Sequence, residues 1–276
     1  MVSAARIMPD IRVKRTQALP LAAAILIAGA YILGAAVHWH AASGVLFAAA
    51  GLLALWLPTS IRRYMLALLA STLLLAVTPL TTIFTLHMFI IILGMIVGAV
   101  LIVYAVSRYF EREHLIHFRF DWRRTWAAWE IAYLVGMVLV VYLLWPYYFR
   151  TTGAISGWHV GRQAGEITAV FVSTMITGIW EEFFFTATVL GVLRKYMPFV
   201  WANVLQACMF AAFLWRVGFH HWAAVPMFGY AFAQGWVFQK TRSLLYVLVV
   251  HVCVDLLVCL ILLHAAQPDM MRIFIT

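Results

Sequence analysis

The sequence predicts an all-α polytopic membrane protein with about nine transmembrane helices. Three observations carry this expectation. The 276 residues are 66% hydrophobic, with a mean hydropathy of +0.97. Only 11% of them are charged, against about 25% in a typical soluble domain. The apolar residues also fall in long runs separated by short basic breaks. A water-soluble fold has nowhere to hide that much apolar surface, so the bilayer is the solvent.

The apolar runs lie near 18–38, 42–58, 64–80, 84–107, 126–148, 166–193, 198–219, 222–239 and 243–264. The first is about as long as a bilayer span and longer than a typical signal-peptide core. The second, third and eighth are short. Proline marks two of the breaks, at "TPLTT" between the third and fourth runs and at "RKYMP" between the sixth and seventh. In the fourth run "GMIVG" places Gly94 and Gly98 at the spacing that lets a neighbouring helix pack closely. The longest cytoplasmic loop, "RYFEREHLIHFRFDWRRTW" (108–126), mixes aromatics with Arg and His as interfacial anchors do.

Charge placement orients the chain. With the N-terminus in the cytoplasm, 15 of the 19 Lys and Arg residues fall inside. Arg150, Arg162, Arg216 and Arg272 fall outside. An odd number of spans with the N-terminus inside satisfies the positive-inside rule. The formal charge of +9 therefore reflects topology, not a nucleic-acid surface. Cys208, Cys253 and Cys259 sit in apolar runs with no CxxC spacing and read as small core residues. One integral domain, 1–276, is expected, with no repeat and no soluble part.

Ten acidic residues remain to be placed. Most fall in loops or tails. Glu130 and Glu166 lie near span ends, where their carboxyls are expected to reach headgroups or water. Glu181, Glu182 and Asp255 lie deep, with His251 one helical turn before Asp255. A deep ionisable group costs a few kcal/mol even on the lenient insertion scale, so such groups read as functional. Straight helices put Glu181 about 20 Å below Arg194, His251 about 14 Å below Arg242, and Asp255 about 20 Å below it. His251 and Asp255, at i and i+4, share a helix face.

Matched depth makes this a catalytic constellation. A carboxyl in an apolar site suits general-base work on water near neutral pH. Two adjacent carboxyls do not both ionise easily, so one is expected to hold a proton. Histidine can donate to a developing oxyanion or ligate a metal. A protonated aspartic acid can donate as well.

At these residues the sequence resembles the CAAX-protease and bacteriocin-processing intramembrane proteases, the CPBP or ABI family of glutamic-type proteases. That family carries EExxxR on one span, FxxxH on the next and HxxxN, or a variant of its last position, on a later one. Here "EEFFFT" runs from Glu181 to Thr186 and "HVCVD" from His251 to Asp255. The resemblance covers roughly 165–262, and implies a CAAX-protease-like helical core at 165–264 preceded by helices of no specific type at 1–164. Two positions depart from the pattern. Thr186 stands where the family has Arg, and after Phe210 the second motif has Leu214 in place of His. In the family, the first Glu and the second-motif His handle the nucleophilic water, and the third-motif His and its partner stabilise the oxyanion. The resemblance thus implies Glu181, Glu182, His251 and Asp255 as catalytic residues.

The neighbours offer weak substitutes for the missing groups. Gln206 and Trp215 are polar residues on the same span as Leu214, and Arg216 is a candidate partner for a glutamate. His220 and His221 lie too near the outer surface, about 33 Å from Pro198 along a helix. The expected function is an intramembrane endopeptidase that uses Glu181-activated water on a membrane-associated or lipidated protein or peptide. The alternative is an inactive relative that binds a membrane partner. A proton-coupled transporter finds no support in broken-helix pairs or repeat symmetry. No cofactor is expected. Zinc is the less favoured alternative, because one His and carboxylates make a thin ligand set. The expected setting is a bacterial inner (cytoplasmic) membrane, with the N-terminus cytoplasmic.

Overall fold

The computed structural model describes residues 12–80, 86–113, 124–158, 160–270 and 274. Among these every regular element is helical. In chain order they are α1 (Ala18–Ala35), α2 (His40–Leu55), α3 (Thr59–Val77), α4 (Leu86–Ala105), α5 (Ala128–Thr152), α6 (Ala164–Glu181), α7 (Leu190–Tyr196), α8 (Phe199–Val217), α9 (Ala224–Thr241) and α10 (Leu244–Ala266). A π-helical segment, Glu182–Val189, joins α6 to α7 without a break. The expected nine apolar runs thus each become a helical segment, with α6, the π segment and α7 forming the sixth.

Seven of these segments are long and apolar enough to cross a membrane. The other two of the nine expected spans are the shorter or less apolar ones. α2 has 16 residues, about 24 Å of helix against a hydrocarbon core of about 30 Å. α9 is made less apolar by Gln234, Gln239 and Lys240 and is not among the seven.

Local chemistry sets the ends. Pro58 and Pro198 stand immediately before α3 and α8, where a missing N–H costs nothing. Gly153 adopts the left-handed conformation that ends α5. Ser243 starts α10, its Oγ accepting the Tyr246 N–H at 3.2 Å. Glu130 differs from expectation. It is fully buried, paired with Arg124, and accepts the Ala127 N–H at 2.7 Å. It fixes the start of α5 instead of reaching water.

Tertiary packing places α10 at the centre, against α5, α6 and α9. α1 packs on α2, α3 and α8. Of the two expected close-packing glycines, a Cβ on Gly98 would stand 3.4 Å from Leu74 of α3, while one on Gly94 would meet open space. The 108–126 loop lies mostly outside the described residues, as do Arg6, Arg119, Arg123 and Arg272.

Candidate active site

The "EEFFF" stretch crosses from α6 into the π segment, and its aromatics explain how two carboxyls are held there. Phe184 and Phe185 are fully buried. Trp180 stacks on Phe184 with ring centres 5.2 Å apart, and Phe185 meets Phe210 and Phe213 of α8 edge-on or tilted. The Trp180 Nε1–H donates to the Ile96 carbonyl at 2.6 Å. This cluster clamps one face of the segment to α8 and α4. The two glutamates then turn toward α10. π-helical turns inside α-helices recur at functional sites, and the wider turn here sits at the first catalytic candidate.

His251 is the hub. Its Nδ1 lies 2.7 Å from Glu182 Oε1. Its Nε2 lies 3.4 Å from Glu181 Oε2 and 3.6 Å from Asp255 Oδ1. All four expected residues therefore converge, but on two sides of one imidazole. Glu181, His251 and Asp255 line a single cavity of about 330 Å³. Glu182 is not on its wall. It is 1% exposed and lies behind the ring.

The cavity is mostly apolar. Met137, Val141 and Trp145 of α5, Phe210 and Leu214 of α8, and Met227 and Tyr230 of α9 complete its walls with α6 and α10. Leu214, at the position where the family pattern has His, lines the wall and offers no hydrogen-bond donor. Thr186 is buried within the π segment and does not line the cavity.

Close helix approach makes the cluster possible. A Cβ on Gly178 would stand 1.8 Å from Asp255 Oδ2 and 3.1 Å from His251 Cδ2. Only a glycine, one turn before Glu181, lets α6 lie this near α10. The sequence reading missed Gly178. It also missed Gln234 of α9, which is 1% exposed and donates from Nε2 to Glu182 Oε1 at 3.1 Å. The available signal was an uncharged amide in an apolar run, one turn after Tyr230.

The proposed substitutes are otherwise engaged. Arg216 donates to the carbonyls of Leu75, Ala76 and Thr78 at 2.7–3.1 Å. It caps α3, whose C-terminal carbonyls attract a cation, and does not pair with a glutamate. Gln206 donates to Asn203 and to the Ala231 carbonyl, tying α8 to α9. Trp215 packs edge-on against His220. His220 and His221 are exposed and line a neighbouring cavity of about 550 Å³, which meets the first at Trp158, Thr177 and Val217 but includes none of Glu181, His251 and Asp255. Among the described residues, no group of three or more His, Cys, Asp and Glu side chains is arranged to hold a metal ion.

Residues 163–257 match the family model for Rce1-like type II CAAX prenyl endopeptidases. That segment holds all four site residues, and the match bears out the resemblance read from the sequence. No curated protein and no solved structure matches the chain. Over residues 163–257 the chain is similar to the Rce1-like CAAX endopeptidases, and its seven long apolar helical segments make it an integral, multi-pass membrane protein.

Proposed function

We propose that this protein is an intramembrane endopeptidase that cleaves a membrane-associated or lipidated protein or peptide with water activated by Glu181. The observation that carries the reading is the convergence of Glu181, His251 and Asp255 on one largely apolar cavity. Such a cavity excludes bulk water and strengthens each electrostatic contact inside it.

In this mechanism Glu181 takes a proton from a water as it attacks the scissile carbonyl carbon. The carbonyl oxygen becomes an oxyanion. His251 supports it from Nε2. As an imidazolium both of its nitrogens donate, so Nδ1–H is held by Glu182 while Nε2–H meets the oxyanion. Asp255, in its protonated form, is a second donor beside Nε2. When the C–N bond breaks, Glu181 returns its proton to the leaving amine. Leu214 removes the group that would share the handling of water in the family, so Glu181 acts alone as the base.

The core at 165–264 carries this chemistry, preceded by the helices of 1–164. The basic asymmetry supports a cytoplasmic N-terminus, and the setting in this reading is a bacterial inner membrane. The test is cleavage of a peptide with a prenylated CAAX end by the purified protein in liposomes, with products read by mass spectrometry. A single new peptide end is expected. A wild-type protein that binds the peptide without cutting it would overturn the reading in favour of a non-catalytic binder.

A further inference from the structure

Behind His251 runs a second layer of polar contacts, of which the mechanism above uses only the one between Glu182 and Nδ1. Glu182 Oε1 receives two partners, His251 Nδ1 at 2.7 Å and Gln234 Nε2 at 3.1 Å. Gln234 Nε2 also lies 3.1 Å from the Tyr230 hydroxyl and 3.2 Å from the Val247 carbonyl. The Tyr133 hydroxyl donates to Gln234 Oε1 at 3.1 Å. The chain of contacts thus crosses four helical segments, from Tyr133 on α5 through Gln234 on α9 and Glu182 to His251 on α10.

The orientation of the Gln234 amide follows from its neighbours. Glu182 Oε1 and the Val247 carbonyl are acceptors, so the amide nitrogen must face them. A flipped amide would set its oxygen against both. The amide oxygen then faces Tyr133, which has a proton to give. Gln234 is 1% exposed and Glu182 is 1% exposed, so bulk water does not compete for these contacts.

A carboxylate oxygen has two lone pairs and accepts from Gln234 and from Nδ1–H together. We propose that Gln234 is a positioning residue that holds Glu182 so that His251 carries a proton on Nδ1 and presents Nε2 to Glu181 and the cavity. The residue acts through Glu182 and touches no substrate. Its value to cleavage rests on the endopeptidase reading. The placement of the imidazole proton does not.

The second nitrogen of a working histidine is commonly fixed by a carboxylate, and loss of that orienting contact lowers turnover through the wrong tautomer. Gln234 adds one further link. The geometry also explains why Glu182 is kept although it does not reach the cavity.

The test has two arms. In the first, histidine-¹⁵N-labelled protein in detergent is studied by NMR, with the His251 signals assigned by their loss in His251→Asn. Nδ1 of His251 is expected to be protonated in the wild type. In Gln234→Leu the Nδ1 signal should move toward that of a nitrogen without a proton. Tyr133→Phe, which removes only a hydroxyl, should move the spectrum the same way by less and guards against a Leu variant that fails to fold. A wild-type Nδ1 without a proton, or a spectrum unmoved by both variants, overturns the proposal.

In the second arm, cleavage of the prenylated peptide is measured. Gln234→Leu should lower kcat about tenfold with KM unchanged. The same change made in Glu182→Gln protein should add no further loss. A change in KM alone, or losses that simply multiply, would assign Gln234 to packing and overturn the proposal. Should the wild type cut nothing, the endopeptidase reading fails and the NMR arm alone decides the positioning role.

Discussion

Gly178→Ala is the substitution that most directly tests how the site is assembled. The new methyl would begin 1.8 Å from Asp255 Oδ2, 2.9 Å from its Cγ and 3.1 Å from His251 Cδ2. Real Cβ atoms essentially never stand closer than 3.0 Å to another heavy atom, so Asp255 Oδ2 must retreat by at least about 1.2 Å. Two responses are open. Asp255 turns off its rotamer, at about 0.5–1.5 kcal/mol, or α6 backs away from α10, with an overpacking cost of about 1–3 kcal/mol. The second widens the 3.4 Å gap between Glu181 and His251 Nε2. A misplacement of about 1 Å in a reacting group can cost about 10²-fold in rate. Cleavage by Gly178→Ala is therefore expected to fall between about tenfold and about 10²-fold, with the protein still folded in the membrane. The assay is turnover of the prenylated peptide beside a thermal midpoint in detergent. Asp255→Ala removes both atoms of the severe clash and leaves only the mild one with His251. In that background Gly178→Ala should cost only a few-fold. Full activity in Gly178→Ala, or an equal loss with and without the Asp255 carboxyl, would refute the crowding argument.

Further outcomes follow from the same geometry. His251→Ala should lower cleavage by about 10²–10³-fold, the cost of losing one oxyanion donor, as measured by initial rates. Asp255→Asn should be mild or neutral in the same assay, since an amide still donates a hydrogen bond and matches the family's usual residue. His220→Ala should leave turnover unchanged, because that residue is exposed and lines the other cavity. Reporter fusions after Lys195 and after Thr276 should report opposite sides of the membrane. Reports from the same side would contradict three crossings, by α8, α9 and α10, between those two points.

The parts of the structure legible in the sequence are those with a high energetic cost. Apolar runs must be helical inside a bilayer, and so all nine runs became helical segments, the short α2 and the less apolar α9 included. Glu181, Glu182, His251 and Asp255 stood out because ionisable groups at depth are expensive, and the structure brings them together. Uncharged contributors were not legible. Gln234 carries no charge and Gly178 no side chain, and their importance depends on what faces them across α6, α9 and α10. The π segment was hidden for a similar reason. Its wider turn goes with packing of Phe185 against Phe210 and Phe213 of α8, which no local pattern encodes. Arg216 was misread because a cation near acidic residues suggests an ion pair. The bare carbonyls at the end of α3, far away in sequence, hold it instead.

The central claim is that Glu181 activates the water that cuts the substrate. Glu181→Gln keeps the size and hydrogen-bonding reach of the side chain and removes its capacity to take a proton. The measurement is cleavage of the prenylated peptide by Glu181→Gln protein reconstituted in liposomes beside wild type, with equal folded protein confirmed by size-exclusion profile. The account predicts cleavage by the wild type and none by the variant. Cleavage that persists in Glu181→Gln would contradict it.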